Sequence, residues 1–285
     1  MIIVRLQGGL GNQLFQYAAA KALATRLGRG FKSEIITSLQ KDKLRTIALN
    51  DLQAPFELAT PKEIRNFIQF PLLYRHKPAL VARMGKHIYR EPHFQYDPHF
   101  LTLTDPVYLD GFFQSPKYFQ DIEELIRQDF QVRSEQVQAV MQKGKELTAK
   151  SSVAIHIRRG DFANAKAVNY HGILTSEYYM KAIEVIKSKV PGASFHFFSD
   201  DIAWVKEKIP MDKGSELVSL QTTSSIEDFY LMTKCQHNII ANSSFSWWTA
   251  WLNNNPGKNV IAPKKWFVVE GINTDDLIPA GWIRL

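Results

Sequence analysis

Two adjacent arginines, Arg158 and Arg159, follow directly on the apolar stretch 153–157. A guanidinium carries a planar fork of N–H donors that matches the oxygens of a phosphate, and each charge-assisted bond of this kind contributes about 1.5–3 kcal/mol. The pair therefore predicts a phosphate-binding site. An internal ion pair between Arg159 and Asp161, closing the end of a strand, is the structural alternative.

The residues in front of the arginines alternate in a way that predicts a β-strand over 152–157. The odd-numbered positions from Val153 to Ile157 share one face of such a strand, and His156 shares the other face with Arg158. Arg159 is then left at the mouth of the following loop, where a ligand could reach it.

Two further polar clusters follow apolar stretches in the same half of the chain. Asp200 and Asp201 are adjacent carboxylates, but neighbouring side chains point apart, and Asp200 is well placed to cap a helix that begins at Ile202. No metal site is therefore predicted.

Ser243 and Ser244 precede an aromatic-rich helix. They either cap this helix or form a phosphate-binding site at its positive end. The tryptophans of that helix are predicted to belong to the core.

A glycine-rich loop, 8–12, joins a predicted strand at 2–6 to a predicted helix at 13–27. The loop is not a dinucleotide fingerprint, because Leu14 stands where the third glycine is needed, and no P-loop Lys-Ser/Thr pair follows. It allows the main chain to approach a ligand closely, with Asn12 at the helix N-terminus. A tight turn capped by Asn12 is the alternative.

Strands and helices alternate after residue 150, which predicts a parallel sheet with right-handed crossovers. Ligands of such sheets bind outside the carboxyl ends of the strands, where the polar clusters fall. We therefore expect an α/β protein with two domains, 1–150 and 151–285. The topology of 50–150 is not predicted, apart from a helix over 135–148. The predicted elements of the second half are strands at 152–157, 195–198, 217–220, 238–241 and 259–262, and helices at 176–189, 202–208, 226–235 and 244–254.

Composition narrows the class of protein. The 285 residues are 45% hydrophobic and 22% charged, which suits two globular α/β domains. The single cysteine, Cys235, excludes an intrachain disulfide framework and fits a reducing compartment. No stretch has the length of a signal peptide or a membrane span, so we expect a cytoplasmic protein. The net charge of +7 favours an anionic ligand, but no nucleic-acid-binding module is recognisable.

The positive charge is concentrated in the segment 62–90, where seven lysines and arginines stand against one acid, Glu63, among aromatic and aliphatic residues. One interpretation is peripheral contact with an anionic membrane, because each basic side chain near such a surface contributes about 1 kcal/mol. The other is a solvated helical surface.

Taken together, these motifs resemble the α1,2-fucosyltransferases, a group that includes bacterial O-antigen enzymes. The resemblance covers nearly the whole chain. It implies a GT-B-type fold, with two Rossmann-like domains facing across a cleft, the first on the acceptor side and the second binding GDP-β-L-fucose. It also implies inversion at the anomeric carbon, transfer to the 2-hydroxyl of a terminal galactose, and neither a cofactor nor a metal. The motifs are GGLGNQ with FQYA in 8–18, HIRRGD at 156–161, FSDD at 198–201 and SSFSWW at 243–248.

The resemblance also implies roles for individual residues. Arg158 is expected at the β-phosphate, and the base that takes the acceptor proton is expected to be Asp161 or His171. Asn12 and Gln13 are expected near the acceptor. The expected donor-binding residues are His156, Arg158, Arg159, Asp228, Ser243, Ser244, Gly11 and Asn12, with His156 and Asp228 near guanosine by similarity to α1,6-fucosyltransferases.

Three other functions compete with this one. The chain could transfer fucose in another linkage, or bind a sugar nucleotide or glycan without catalysis. A nucleotide-dependent oxidoreductase is disfavoured because the glycine spacing is wrong.

Overall fold

The computed structural model of the protein describes residues 1–39, 46–77, 80, 87–160, 165–212 and 214–285. These residues form two compact units. Unit 1 comprises 1–131 with 273–277, and unit 2 comprises 132–272 with 278–285. No helix in these described ranges is both long and apolar enough to cross a membrane.

Unit 1 is built on a four-stranded parallel sheet with the strand order β2-β1-β4-β3. Its strands are short, and α-helices lie between β1 and β2 and between β2 and β3. The elements are β1 (Ile2–Arg5), α1 (Leu10–Leu27), β2 (Phe31–Glu34), α2 (Pro61–Arg65), α3 (Pro71–His76), β3 (Ile88–Arg90), β4 (Val107–Asp110) and α4 (Glu123–Asp129), with 3-10 turns at Ala48–Asp51, Pro98–Thr102, Pro116–Tyr118 and Gln120–Ile122.

The first helix begins three residues earlier than the sequence predicts. Gly8 takes a φ of +81°, which lets the chain turn directly out of β1, and Gly9 occupies the N-cap position without a side-chain cap. Asn12 therefore lies within the first turn of α1, and the alternative interpretation, a tight turn capped by Asn12, is wrong. The helix ends at Leu27, where Gly28 adopts the left-handed conformation.

Unit 2 is built on a six-stranded parallel sheet with the strand order β10-β9-β8-β5-β6-β7. The alternation predicted after residue 150 is confirmed, and the bounds of β5, α8 and α9 agree with the prediction. The elements are α5 (Ser134–Val137), a 3-10 turn (Gln138–Val140), α6 (Met141–Ala149), β5 (Ser152–Ile157), α7 (Ala165–His171), α8 (Ser176–Lys189), β6 (Ser194–Ser199), α9 (Ile202–Lys208), β7 (Glu216–Leu217), a 3-10 turn (Val218–Leu220), α10 (Ser225–Lys234), β8 (His237–Ile239), α11 (Ser244–Leu252), β9 (Val260–Ala262) and β10 (Ile283–Arg284).

The division between the units falls after Gln131 rather than near residue 150, and the predicted boundaries 1–150 and 151–285 are corrected accordingly. The reason is the packing of α5 and α6, whose residues Val137 and Leu147 share a buried core with Phe198 of β6. The polar residues at 143–152 belong to α6, the turn after it and the start of β5, all within unit 2, and do not form a linker between domains.

The two faces of the unit 2 sheet pack into different cores, as the alternation of β5 predicts. Val153, Ile155 and Ile157 lie in one core with α8, whereas Ala154 lies in the other with α10. The helix α11 buries Trp247, Trp248 and Trp251, which confirms that these tryptophans belong to the core. Cys235 is also buried, and burial raises the pKa of its thiol to about 12.

Candidate functional site

The end of β5 carries the two arginines into a loop that Asp200 holds in place. One oxygen of the Asp200 carboxylate, Oδ2, lies 3.5 Å from Arg158 Nε, and the other, Oδ1, accepts the main-chain N–H of Arg159 at 2.8 Å. A side chain at position 160 would displace this carboxylate, because a Cβ on Gly160 would lie 2.9 Å from Asp200 Oδ2. Asp200 therefore fixes the loop that presents both guanidinium groups at this edge of the sheet.

Arg159 is held from two sides. Its Nε lies 3.3 Å from Asp201 Oδ2, and its guanidinium lies over the ring of Trp204, 4.2 Å from the centroid. Asp201 also caps α9, because its other oxygen accepts the N–H of Trp204 at 3.0 Å. The predicted cap, Asp200, is thus corrected to Asp201. In the alternative interpretation Arg159 pairs with Asp161, which lies outside the described residues.

His156 is buried at the end of β5, with only 5% of its surface exposed. Its ring lies 5.5 Å from the ring of Phe245 in α11. Burial, aided by the positive charge of Arg158, lowers the pKa of His156 to about 3, so the imidazole is neutral at physiological pH. Its Nδ1 has no hydrogen-bond partner in the part of the chain that is described. A buried polar atom of this kind is costly unless a ligand satisfies it.

Asp228, on α10, is bonded by two hydroxyl groups. Ser219 donates to Oδ2 at 2.9 Å, and Thr222 donates to Oδ1 at 2.7 Å. Burial raises the pKa of the Asp228 carboxyl, although both hydroxyl groups oppose this effect. Ser219 also accepts the main-chain N–H of Ser199, which ties Asp228 to the carboxyl end of β6. Asp228 is therefore linked through Ser219 to β6, the strand next to β5, and its expected place near guanosine stays a prediction.

The loop after β8 leads into α11 through Asn242, Ser243 and Ser244. Ser243 stands at the N-cap position, but its side chain makes no capping bond to the helix. The alternative interpretation, in which the Ser243 hydroxyl group caps the helix, is therefore wrong. Ser244 opens the first turn of α11, where the helix dipole favours an anion.

Asn242 brings His171 to the same edge of the sheet. Its Nδ2 donates to the main-chain oxygen of His171 at 2.7 Å and to that of Trp266 at 3.2 Å. The His171 ring packs against Tyr170, with centroids 4.8 Å apart, and against Phe267 at 5.5 Å. The role of His171 as a base stays a prediction, and so does that of Asp161.

In unit 1, Gln13 is fully buried and braces the glycine-rich loop. Its Nε2 donates to the main-chain oxygen of Gly8 at 2.9 Å, and its Oε1 accepts the N–H of Ala48 at 3.0 Å. Gln13 can therefore affect acceptor binding only indirectly, by holding the glycine-rich loop in place. Gly11 is buried in the first turn of α1.

Asn12 is linked to the loop after β4. Its Oδ1 accepts the Nε2 N–H of Gln114 at 2.9 Å, and a Cβ on Gly8 would lie 2.5 Å from its Nδ2. The predicted roles of Gly11, Asn12 and Gln13 toward donor and acceptor stay predictions.

The carboxyl edge of the unit 1 sheet also holds a buried ion pair. Arg5 Nη1 lies 3.0 Å from Asp110 Oδ1, and Tyr74 donates to the second oxygen of Asp110 at 2.7 Å. Arg5 Nε donates to Thr37 at 2.9 Å. Each of these polar groups thus has a partner inside unit 1.

The sequence alone does not identify Ser219, Thr222 or Phe245 as parts of the site. Ser219 follows a strand of only two residues, and Thr222 lies in a loop, so neither stands in a motif. Among the described residues, no group of three or more His, Cys, Asp or Glu side chains could hold a metal ion.

Comparison with known proteins gives concordant results. A model of glycosyl transferase family 11 matches residues 85–285. An α-1,2-colitosyltransferase of Escherichia coli is 32% identical over 100% of this chain and 99% of its own length. The O-antigen biosynthesis glycosyltransferase WbnK of Escherichia coli is 30% identical over 98% of this chain and 99% of its own length. The galactoside α-(1,2)-fucosyltransferase 1 of Alouatta caraya is 27% identical over 86% of this chain and 63% of its own length.

Solved structures agree with the fold. Arabidopsis thaliana FUT1 in complex with GDP has a TM-score of 0.54 at 12% identity, over 92% of this chain and 69% of the other. The NodZ α-1,6-fucosyltransferase soaked with GDP-fucose, a protein of Bradyrhizobium, has a TM-score of 0.50 at 14% identity, over 90% and 96%. The predicted GT-B-type α/β class is confirmed. The chain belongs to glycosyl transferase family 11, the α1,2-fucosyltransferase family that its motifs resemble.

Proposed function

We propose that the chain is an inverting, metal-independent galactoside α1,2-fucosyltransferase that uses GDP-β-L-fucose. One observation carries the proposal: two fixed guanidinium groups and a neutral, buried His156 lie at the same edge of one sheet, and Nδ1 of His156 has no hydrogen-bond partner among the described residues. Such an edge suits a nucleoside diphosphate, which offers both negative charge and hydrogen-bonding groups.

In the proposed reaction, the acceptor 2-hydroxyl attacks the anomeric carbon from the face opposite the diphosphate. The bond between that carbon and the β-phosphate oxygen breaks as the new glycosidic bond forms, and the acceptor proton passes to a base. Arg158 stabilises the charge that develops on the departing phosphate, with Arg159 and the Ser243–Ser244 helix end beside it. Because these groups are already fixed, they need little rearrangement as the charge appears.

Guanosine is assigned to His156 and Asp228. The carboxylate of Asp228 can accept N–H donors from the edge of the guanine ring once Ser219 and Thr222 have turned their hydroxyl groups, and Nδ1 of His156 can accept a hydrogen bond from the ligand.

The general base that takes the acceptor proton is assigned to Asp161, with His171 as the second candidate, because both follow the β5 strand in the chain.

The donor sugar is a separate question, since the relative at 32% identity is named for colitose. Colitose is L-fucose without its 3-hydroxyl group, so the two donors differ at one polar position. A site that bonds this hydroxyl group rejects the deoxy analogue by about 10⁴–10⁵-fold, whereas a site that ignores it discriminates only weakly. Fucose is our first choice because of the Alouatta caraya relative, and colitose transfer is the second candidate.

The experiment combines the purified chain with GDP-fucose or GDP-colitose and with lactose, lacto-N-biose or N-acetyllactosamine. We expect GDP release that depends on the acceptor, and a product with the sugar α-linked to the galactose 2-hydroxyl, as determined by NMR linkage analysis. Preference for GDP-colitose would select the second candidate. A different linkage would contradict the α1,2 assignment, and nucleotide binding without transfer to any acceptor would indicate a non-catalytic sugar-nucleotide-binding protein.

Metal independence is tested in the same assay with excess EDTA. We expect the rate to be unchanged, because the arginines meet the diphosphate charge that a divalent ion meets in other enzymes. Loss of activity that only Mn²⁺ restores would contradict this part of the proposal and point to Asp200 and Asp201 as ligands.

We also propose that a surface of unit 1, called here the basic–apolar face, contacts anionic membrane from the cytoplasmic side. It comprises the exposed residues of α2, α3 and the positions next to them: Lys62, Arg65, Phe70, Leu73, Lys77 and Leu80. Phe70, Leu73 and Leu80 are 45%, 42% and 51% exposed. The one acid of the segment, Glu63, lies 2.9 Å from Lys32 and thus does not offset the positive charge of the face.

Co-sedimentation with vesicles tests this contact. We expect binding to phosphatidylglycerol vesicles at low salt, weaker binding at high salt, and none to phosphatidylcholine vesicles. A Phe70→Ser/Leu73→Ser variant should bind less, whereas Leu101→Ser, which alters another exposed leucine, should bind like the parent chain. Equal sedimentation with both lipids, or with neither, would end the membrane proposal.

A further inference from the structure

The loop after β4 is held in its shape by the side chain of Glu91. The carboxylate accepts the main-chain N–H of Phe112 at 2.7 Å and that of Phe113 at 3.0 Å, using one oxygen for each. Glu91 directly follows β3, and its own N–H extends the ladder by donating to the main-chain oxygen of Asp110 at 2.9 Å. A single half-buried side chain thus clamps two consecutive amides of the loop that follows the neighbouring strand.

The clamped loop has an unusual backbone. Phe113 adopts a φ of +52°, a left-handed conformation that a phenylalanine rarely takes, and its ring is fully buried among Tyr89, Phe100 and Tyr118. Gly111 cannot carry a side chain, because a Cβ there would lie 2.5 Å from the Glu91 Cβ. Such a conformation persists only where its surroundings fix it, and the two bonds to Glu91 do so.

The loop shape decides what its neighbours present at the carboxyl edge of the unit 1 sheet. With Phe113 turned inward, Phe112 is 39% exposed, and Gln114 donates from Nε2 to Asn12 Oδ1 at 2.9 Å. The exposed ring of Phe112 and the carboxamide groups of the half-buried Asn12 and the buried Gln114 suit a neutral sugar, which offers an apolar face and several hydroxyl groups. Gln16 supports the same loop by donating to the main-chain oxygen of Gly111 at 3.2 Å.

The ionisation of Glu91 lies in a range that an enzyme assay can reach. Burial raises the pKa of Glu91 to about 7, with a smaller contribution from Asp110, while the two amide bonds act in the opposite direction. The charge of Asp110 is itself countered by Arg5 at 3.0 Å and by Arg90 at 3.7 Å. The neighbouring phenols of Tyr89 and Tyr118 have raised pKa values and stay neutral. Protonated Glu91 cannot accept with both oxygens in the same way, because one of them then carries a hydrogen.

We propose that Glu91 is a positioning residue for the acceptor: by clamping the Phe112 and Phe113 amides, it sets the loop that offers Phe112 and the Gln114–Asn12 pair to the acceptor galactose. This inference rests on the proposed function and adds a subsite to it. Glu91 acts through the loop and does not touch the sugar. Because the clamp needs the ionised carboxylate, acceptor binding weakens as the pH falls through the pKa of Glu91.

The first test needs no variant. The KM values of the parent chain for lactose and for GDP-fucose are measured between pH 5.5 and 8.5. We expect the KM for lactose to rise below about pH 7 and the KM for GDP-fucose not to follow it. If the KM for lactose is flat across this range, the proposal is contradicted.

The second test uses Glu91→Gln, which keeps one acceptor oxygen but sets an NH₂ group against the other amide. We expect the KM for lactose to rise about tenfold, the size of one lost charge-assisted bond, and to lose its dependence on pH. Glu57→Gln is the matched control, because Glu57 is an exposed acid of unit 1 that pairs only with Lys32 in the described structure, and it should leave both KM values unchanged.

Two further variants keep the test decisive. If Glu91→Gln does not fold, Glu91→Asp, which keeps the charge but shortens the reach, should raise the KM for lactose and keep the acid dependence. Phe112→Ala should raise the KM for lactose without changing its pH profile. An unaltered lactose KM in the Glu91 variants, with fucose transfer intact, would refute the positioning role alone, whereas absence of transfer by the parent chain would refute the proposed function.

Discussion

Both sheets of this protein end in polar residues, but those of unit 1 are buried and bonded to one another, whereas the arginines of unit 2 are partly exposed. At the edge of the unit 1 sheet, Arg5 and Asp110 are buried and bonded to each other, and Gln13 uses its amide on the main chain. At the edge of the unit 2 sheet, Arg158 and Arg159 are 30% and 23% exposed, and His156 keeps a buried nitrogen without a described partner.

The difference shows what a pair of opposite charges can do at the same place in the same kind of sheet. A buried arginine–carboxylate pair with complete hydrogen bonding holds loops in position. A partly exposed pair such as Arg158 with Asp200 holds an arginine where an anion can still reach it. The comparison predicts that removing a charge of the Arg5–Asp110 pair lowers stability and that removing the Arg158 guanidinium lowers activity.

The largest expected effect on activity is that of Arg158→Lys. The substitution replaces a two-pronged donor with a point charge and should lower turnover by about 10²–10³-fold, while the melting temperature changes little. Arg127→Lys is the matched control, because Arg127 pairs with Glu123 on the surface helix α4, and it should keep the parent rate. Near-normal GDP release by Arg158→Lys would remove the phosphate assignment.

The opposite result is expected for Arg5→Met. Removing one partner leaves Asp110 charged and buried, which should lower the free energy of unfolding by about 3–5 kcal/mol. Urea denaturation measures this change. Arg29→Met, at a position that is 66% exposed and 3.7 Å from Asp105, should lower it by less than about 1 kcal/mol. Equal losses in the two variants would show that the unit 1 pair is no more structural than a surface pair.

The smallest effect of the three is expected for Asp228→Asn, which should lower the affinity for GDP about tenfold, as measured by calorimetry. The pKa of Asp228 is raised, so its carboxylate is lost earlier on acidification than that of an exposed aspartate, and GDP affinity should fall with it. The variant should not show this acid dependence. Glu207→Gln, an exposed change in α9, should bind GDP as the parent chain does.

The sequence predicts unit 2 much better than unit 1, for physical reasons. The strand β5 is a long apolar run with clear alternation, and α8 has a regular apolar stripe, so local pattern determines both. The strands β2, β3 and β4 have three or four residues each, no shorter than β8 and β9, but α2 and α3 between β2 and β3 have only five and six residues, so no regular alternation of strand and helix reveals them. Their place in the sheet is set by contacts between residues far apart in the chain.

The candidate site divides in the same way. His156 and the arginines stand in one contiguous motif, and the sequence identifies them. The sequence misassigns the cap of α9 by one residue, because it does not distinguish Asp200 from Asp201. In the structure Asp200 accepts the main-chain N–H of Arg159, and Asp201 caps the helix. Glu91 lies in no motif, and its importance depends on a loop that follows a different strand.

The central claim is that the edge formed by residues 156–159 receives the diphosphate, and a crystal structure with GDP tests it most directly. We predict phosphate oxygens within hydrogen-bond distance of the Arg158 guanidinium, and a nucleoside group bonded to Nδ1 of His156. A nucleotide bound elsewhere on the protein, with this edge unchanged, would contradict the account.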